Sequence, residues 1–206
     1  MTQTKEQNVS GRPVYHSRFT KLLHLLVAAA VVHQLVISLV MTRPAPGRPG
    51  DSLFELHEWV GLVSLGVLLI FFLWVIVRQR ETTAGMLYPW FSSHRRRALW
   101  VDLNAHLANL KGGRILLTQE GPLASAVHGL GLLLVLLMAA TGAAGYFIAA
   151  ARSLLSIHET LGPLVWAYLV GHAGLALLHQ RAGHRILQSM FDLRAAQEPQ
   201  DAFARK

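Results

Sequence analysis

No cysteine occurs among the 206 residues. Disulfides, iron–sulfur clusters, thiolate metal ligands and covalent attachment of a c-type haem are thereby excluded. Charge is scarce as well: Asp, Glu, Lys and Arg make up 15% of the chain, well below the roughly one quarter usual for soluble domains. The stretch 122–148 contains none of the four. What fills the chain instead is apolar, 52% of it hydrophobic, with a mean hydropathy of +0.37. The net charge of +8 would suggest nucleic acid as partner of a soluble protein. Here the basic residues flank apolar runs, so anionic lipid headgroups are the expected partner and nucleic acid is not.

A membrane-spanning helix needs about 20 predominantly apolar residues, and four stretches qualify: 22–41, 56–77, 122–148 and 157–178. Backbone polar groups in lipid must be satisfied within the segment, so each is expected to be α-helical. None alternates as a barrel strand does. The first stretch follows Lys and Arg like a signal peptide, but it is too long for an h-region and no clean A-x-A site follows. It is read as an uncleaved helix. The expected fold is therefore all-α, a single integral membrane domain over 1–206 built on a four-helix bundle.

Sixteen of the nineteen Lys and Arg fall in the N-terminal tail, the 78–121 loop and the C-terminal tail, against three (Arg43, Arg48 and Arg152) in the other two connections. The positive-inside rule then puts both termini and the 78–121 loop in the cytoplasm. Within that loop, 97–111 reads as a helix, with Leu99, Leu103, Leu107 and Leu110 at helical spacing and Gly112–Gly113 to end it. With Arg95, Arg96 and Arg97 before it, the helix fits either the cytoplasmic interface or a solvated loop. Tyr88, Trp90 and Phe91 suit the aromatic belt at that surface. The tail 193–206 is expected to be mobile.

Eleven histidines are many for so apolar a chain, and a polar side chain inside hydrocarbon is by default a functional candidate. His24, His33, His57, His128, His158 and His172 lie within the spans, and His179 at the last edge. Alternating helix directions sort them by depth: His57 with His158 near the outer face, His24 with His172 toward the inner one. From His158 to His172 the helix turns about 1400°, some 40° short of four full turns, and rises about 21 Å. Both imidazoles thus share a face at two depths. That spacing suits two haems stacked through a bilayer and does not suit one metal ion, whose ligands converge. Gly61 follows His57 and Gly162 follows His158 by four residues, in HEWVG and HETLG. Each is on the histidine's own face, where a missing side chain admits either a flat macrocycle or a neighbouring helix. HExxG is not the zinc-protease HExxH, because its second histidine is absent. Glu58 and Glu159 fit simple interfacial solvation, positioning of the neighbouring imidazole, or proton carriage.

The string SIHETLGPLVWAYLVGHAGLALLH, with His24, His57 and His128 early in the preceding spans, resembles the bacterial cytochrome b561 / nickel–hydrogenase b-type cytochrome family over roughly 18–184. The resemblance implies a transmembrane di-haem cytochrome b of the bacterial cytoplasmic membrane. It implies that His24 and His172 ligate the iron of an inner haem b, and His57 and His158 that of an outer one. It implies a secondary contact, to a propionate or a quinone, for His128. It further implies single-electron exchange with a quinone, alone or with a redox partner protein or dehydrogenase subunit. Some relatives are oxidoreductases that oxidise superoxide and reduce ubiquinone, the alternative reading. The remaining rival is a haem-free transporter that moves protons or a metal through histidines. Its ligands should cluster at one depth, not two. The sequence assigns no role to His33 or His179.

Overall fold

The computed structural model describes residues 16–79, 81–117, 121–184 and 186–193. Four long helices dominate: α1 (Arg18–Ile37), α2 (Ser52–Val77), α5 (Pro122–Phe147) and α6 (Leu154–Arg181). Between α2 and α5 lie the single turn α3 (Ala84–Leu87) and the longer α4 (Ser93–Lys111); α7 (Ile186–Phe191) follows α6. All four long helices are long and apolar enough to cross a membrane. No strand is present among the described residues, only an isolated bridge between Ala45 and Arg48 in the α1–α2 turn.

Caps set the helix ends. The Ser17 side chain accepts from Thr20 N and starts α1 at Arg18, four residues before the apolar stretch begins. At its other end, Leu39 and Val40 donate to Val36 and Ile37 in a tighter turn, so the helix closes at Ile37 and not at Met41. Asp51 caps α2 by accepting from Phe54 N. Ser92 caps α4 by accepting from Arg95 N, and the helix opens at Ser93, before the Leu-patterned stretch at 97. Such oxygen caps satisfy amides that have no partner within the helix. Beyond α6, Gly183 takes a left-handed backbone at φ 88°, a conformation that a glycine adopts without steric cost. Residues 194–206, most of the tail expected to be mobile, lie outside the described residues.

Packing runs in chain order: α1 on α2, α2 on α5, α5 on α6. No comparable packing joins α6 to α1 or to α2. One side chain of α4 reaches the start of α5, on which the helix packs. Asp102 Oδ2 accepts from Leu123 N at 2.9 Å, capping α5 from another helix. A Cβ on Gly121 would stand 2.6 Å from that oxygen, so glycine leaves room for it. This contact turns the face with Ala98, Leu99, Asp102, Leu103 and His106 toward the protein, where each is half-buried. The expected leucine stripe is therefore split: Leu99 and Leu103 pack, while Leu107 and Leu110 stay exposed beside Trp100.

The ends of α1 and α2 that carry Ser17 and Arg78 are joined by a buried polar knot. Thr20 Oγ1 donates to Glu81 Oε2 at 2.6 Å and accepts from Trp74 Nε1 at 2.8 Å. Ser17 N donates to Glu81 Oε1, and Arg78 stands 3.6 Å from Glu81 while donating to the Thr82 carbonyl. Burial pushes the Glu81 carboxyl up, but nearby His16, 3.7 Å away, and hydrogen bonds from Ser17 and Thr20 outweigh it and bring it down to about 2. Lys21, also buried, donates to the Asp192 carbonyl at the end of α7. This knot explains why α1 tolerates Thr20 and Lys21 in its first turns.

Candidate functional site

His24 stands in the second turn of α1 and His172 in the second half of α6. Their ring centroids are 6.3 Å apart at an interplanar angle of 51°. His57, early in α2, and His158, early in α6, have centroids 6.1 Å apart at 81°. So the four histidines form two couples, and each couple spans helices that do not otherwise pack on each other. All four side chains are half-buried.

These distances can be compared with an iron held between two imidazoles. An imidazole nitrogen bonds a metal at about 2.0–2.1 Å. The ring nitrogen is roughly 1.1 Å from its own centroid, so two axial imidazoles have centroids roughly 6.3 Å apart. Both couples have this centroid separation. They are couples, not clusters: no group of three or more His, Cys, Asp or Glu that could hold a metal ion occurs among the described residues. A bis-imidazole haem needs only two protein ligands, because the porphyrin supplies the other four.

The couples differ in how the protein supports them. His158 Nδ1 is 2.8 Å from the Met138 carbonyl of α5. A carbonyl only accepts, so Nδ1 carries the proton and Nε2 keeps its lone pair for a metal. Such a partner orients a ligand and raises its basicity. Gly142 permits the approach, since a Cβ there would lie 3.0 Å from the His158 ring. On the facing helix, Gln34 Nε2 donates to the His57 carbonyl. Nδ1 of His57 and of His24 is buried without a hydrogen-bond partner. An orphaned buried imidazole costs free energy until a partner is supplied, and each couple contains one.

The remaining sequence candidates fall as follows. His128 of α5 meets His172 edge-on, centroids 5.1 Å apart, and its Nδ1 is 2.7 Å from the Ala124 carbonyl. Gly162 has nothing nearer than Met138 Cε at 4.0 Å, and Gly61 nothing nearer than Gln34 Nε2 at 3.5 Å. A Cβ at Gly61 would thus be in ordinary contact with Gln34 of α1, and one at Gly162 would just reach the end of the Met138 side chain. His33 is half-buried with Nδ1 unpartnered. His179 Nδ1 is 3.0 Å from His184 Nδ1 in the turn after α6. Glu159 pairs with exposed Arg43 at 2.7 Å across the surface.

Sequence reasoning missed four supports. Tyr168 stacks on His172, and Phe191 of α7 meets His24 edge-on at 6.2 Å. Tyr168 was open to discovery as the residue one helical turn before His172. The Met138 carbonyl was not, because a backbone acceptor has no residue signature; Gly142 beside it was the only trace. The Glu81 knot joins distant parts of the chain and left no local pattern. The profile of the prokaryotic cytochrome b561 family matches residues 15–192. Neither a curated protein nor a solved structure matches the chain.

Proposed function

The chain belongs to the prokaryotic cytochrome b561 family, and from that premise we propose that it is a di-haem electron carrier exchanging single electrons with the quinone pool. The observation that carries the proposal is the spacing of the two imidazole couples, 6.3 and 6.1 Å, between α6 and two helices, α1 and α2, on which it does not pack extensively. His24 and His172 hold the inner haem b, His57 and His158 the outer one. The bound haems supply one-electron iron chemistry, with no coordination position left for oxygen.

The chain's own residues do the rest. The Met138 carbonyl fixes the tautomer of His158 and presents Nε2 to the metal. Gly162, one turn after His158, keeps the α6 surface low beside the outer couple, where a Cβ would meet only the end of Met138 at 4.0 Å, and Gly61 does the same one turn after His57, against Gln34. α5 separates the couples from lipid on one side, its His128 bordering the inner couple as a contact for a propionate or a quinone. The family, with the excess of basic residues at the Glu81 end of the bundle, supports a bacterial cytoplasmic membrane with that end and both termini in the cytoplasm. α4 then lies at the cytoplasmic interface, with Trp100, Leu107 and Leu110 exposed and Arg95, Arg96 and Arg97 in its first two turns, the composition of a surface helix.

Haem content tests this. Membranes holding the protein should yield two b haems per chain by pyridine haemochrome. His172→Ala should lose one and keep the outer haem, and His158→Ala should do the reverse. A colourless protein, or loss of the same haem in both variants, refutes the proposal.

A further inference from the structure

The two α6 histidines are held by different means. His158 has a carbonyl on Nδ1. His172 has no hydrogen bond to its ring among the described residues; it has rings around it. Tyr168, one turn earlier on α6, lies nearly parallel to it, at 13° with centroids 5.6 Å apart. His128 meets it at 90° from α5. Tyr168 is itself pinned from behind, because its ring lies against Gly131 of α5 so closely that any Cβ at 131 would overlap the phenol. Gly131 is buried. The stack therefore runs from the α5 backbone through Tyr168 to the His172 imidazole, so α5 borders that imidazole twice, edge-on through His128 and face-on through the seated Tyr168.

We propose that Tyr168 is the positioning residue of the inner site, its face fixing the plane of the His172 imidazole, with Gly131 as the notch that seats it. The proposal rests on the di-haem reading given above. Relative imidazole orientation governs the electronic structure of a low-spin ferric haem, and the couples differ in it, at 51° for the inner and 81° for the outer. The two haems are thus expected to give separate ferric signals, and only the inner one should depend on Tyr168. Packing on His172 requires an aromatic face, and the Gly131 notch receives the Cζ, Cε2 and hydroxyl end of that ring; phenylalanine keeps the ring carbons at both contacts, so it should substitute for tyrosine.

The test is low-temperature electron paramagnetic resonance of the oxidised full-length protein, with haem content and potentials measured alongside. Tyr168→Leu should shift or broaden the inner signal, leave the outer one in place, and let the inner haem pass to an added haem acceptor up to about tenfold faster, the size of one aromatic stacking contact. Tyr168→Phe should retain the wild-type inner signal. Gly131→Ala, which displaces the ring from the other helix, should reproduce the leucine effect and serves where Tyr168→Leu fails to accumulate. An inner signal indifferent to Tyr168→Leu or Gly131→Ala, a phenylalanine variant no better than leucine, or equal loss of both haems overturns the proposal. A wild-type protein without b haem sinks the electron-carrier reading as well, so the two failures are distinguishable.

Discussion

Replacing Gly142 by alanine puts a methyl group between α5 and the outer imidazole couple. Its Cβ would stand 3.0 Å from both Cε1 and Nδ1 of His158, where comfortable carbon separations are about 3.5–4.0 Å. The helix backbone of α5 cannot retreat cheaply, so the ring must move by about 0.5 Å or more. The atom pushed is the one that orients the ring. Nδ1 begins 2.8 Å from the Met138 carbonyl, and about 0.5 Å of added length takes it past the usual limit of about 3.2 Å. Loss of such a partner typically costs about 10–100-fold in metal affinity.

The expected outcome is selective. Gly142→Ala should bind the outer haem about 10–100-fold more weakly and leave the inner haem at its wild-type potential. Pyridine haemochrome on membranes, followed by a redox titration, reads both quantities. Gly66→Ala is the control, since nothing lies within 4 Å of a Cβ there, and it should keep the full haem complement. Gly142→Ala with an unchanged outer haem, or with the inner haem lost first, would falsify the argument from His158.

Three further outcomes are expected. Gly162→Leu should lower outer haem content without lowering the amount of inserted protein, because the protein itself leaves that position open to 4.0 Å; full haem content in this variant would show that Gly162 does not border the site. Glu81 has a folded-state value of about 2 against an ordinary 4.5, so the stability it contributes is present above about pH 4.5 and is lost as pH falls toward 2. At 1.36 kcal/mol per unit this amounts to at most about 3 kcal/mol, and Glu81→Gln should lower the melting temperature at pH 7 and flatten its acid limb, as a thermal-melt series in detergent will show. Asp102→Ala removes the acceptor of Leu123 N, a cap of about 1 kcal/mol, and should raise hydrogen exchange at the start of α5 while the histidine couples keep their haem.

The four spans were legible because each is an apolar run of membrane length. The two depths of histidine were legible because helix direction and the fourteen-residue interval on α6 dictate them. Helix ends were less so. The α1 span was expected from Leu22, and it starts at Arg18 because Thr20 and Lys21, unwelcome in lipid by composition, find Glu81 and the Asp192 carbonyl. Those partners are sixty or more residues away and cannot be read locally. For α4 the leucine spacing was visible, but its packed face was set by one carboxylate, Asp102, whose partner is a backbone amide of another helix. The supports of the two α6 histidines show the same divide. A glycine beside a histidine is visible in a string; a carbonyl or the face of a ring is not.

The site and the stability of the bundle are linked by how α6 is packed. Only 6% of its apolar window is buried within the protein, against 28% for α1, and α5 is its one extensive helical neighbour. Its two histidines face His24 of α1 and His57 of α2. A group that binds this arrangement and not the unfolded chain stabilises it in proportion to the logarithm of ligand over dissociation constant. Haem bridging His24 to His172 and His57 to His158 would tie α6 to the two helices it does not reach by packing. Loss of one haem should therefore loosen α6 at that depth and leave the other depth held, so that proteolysis or hydrogen exchange along α6 reports which couple has been emptied.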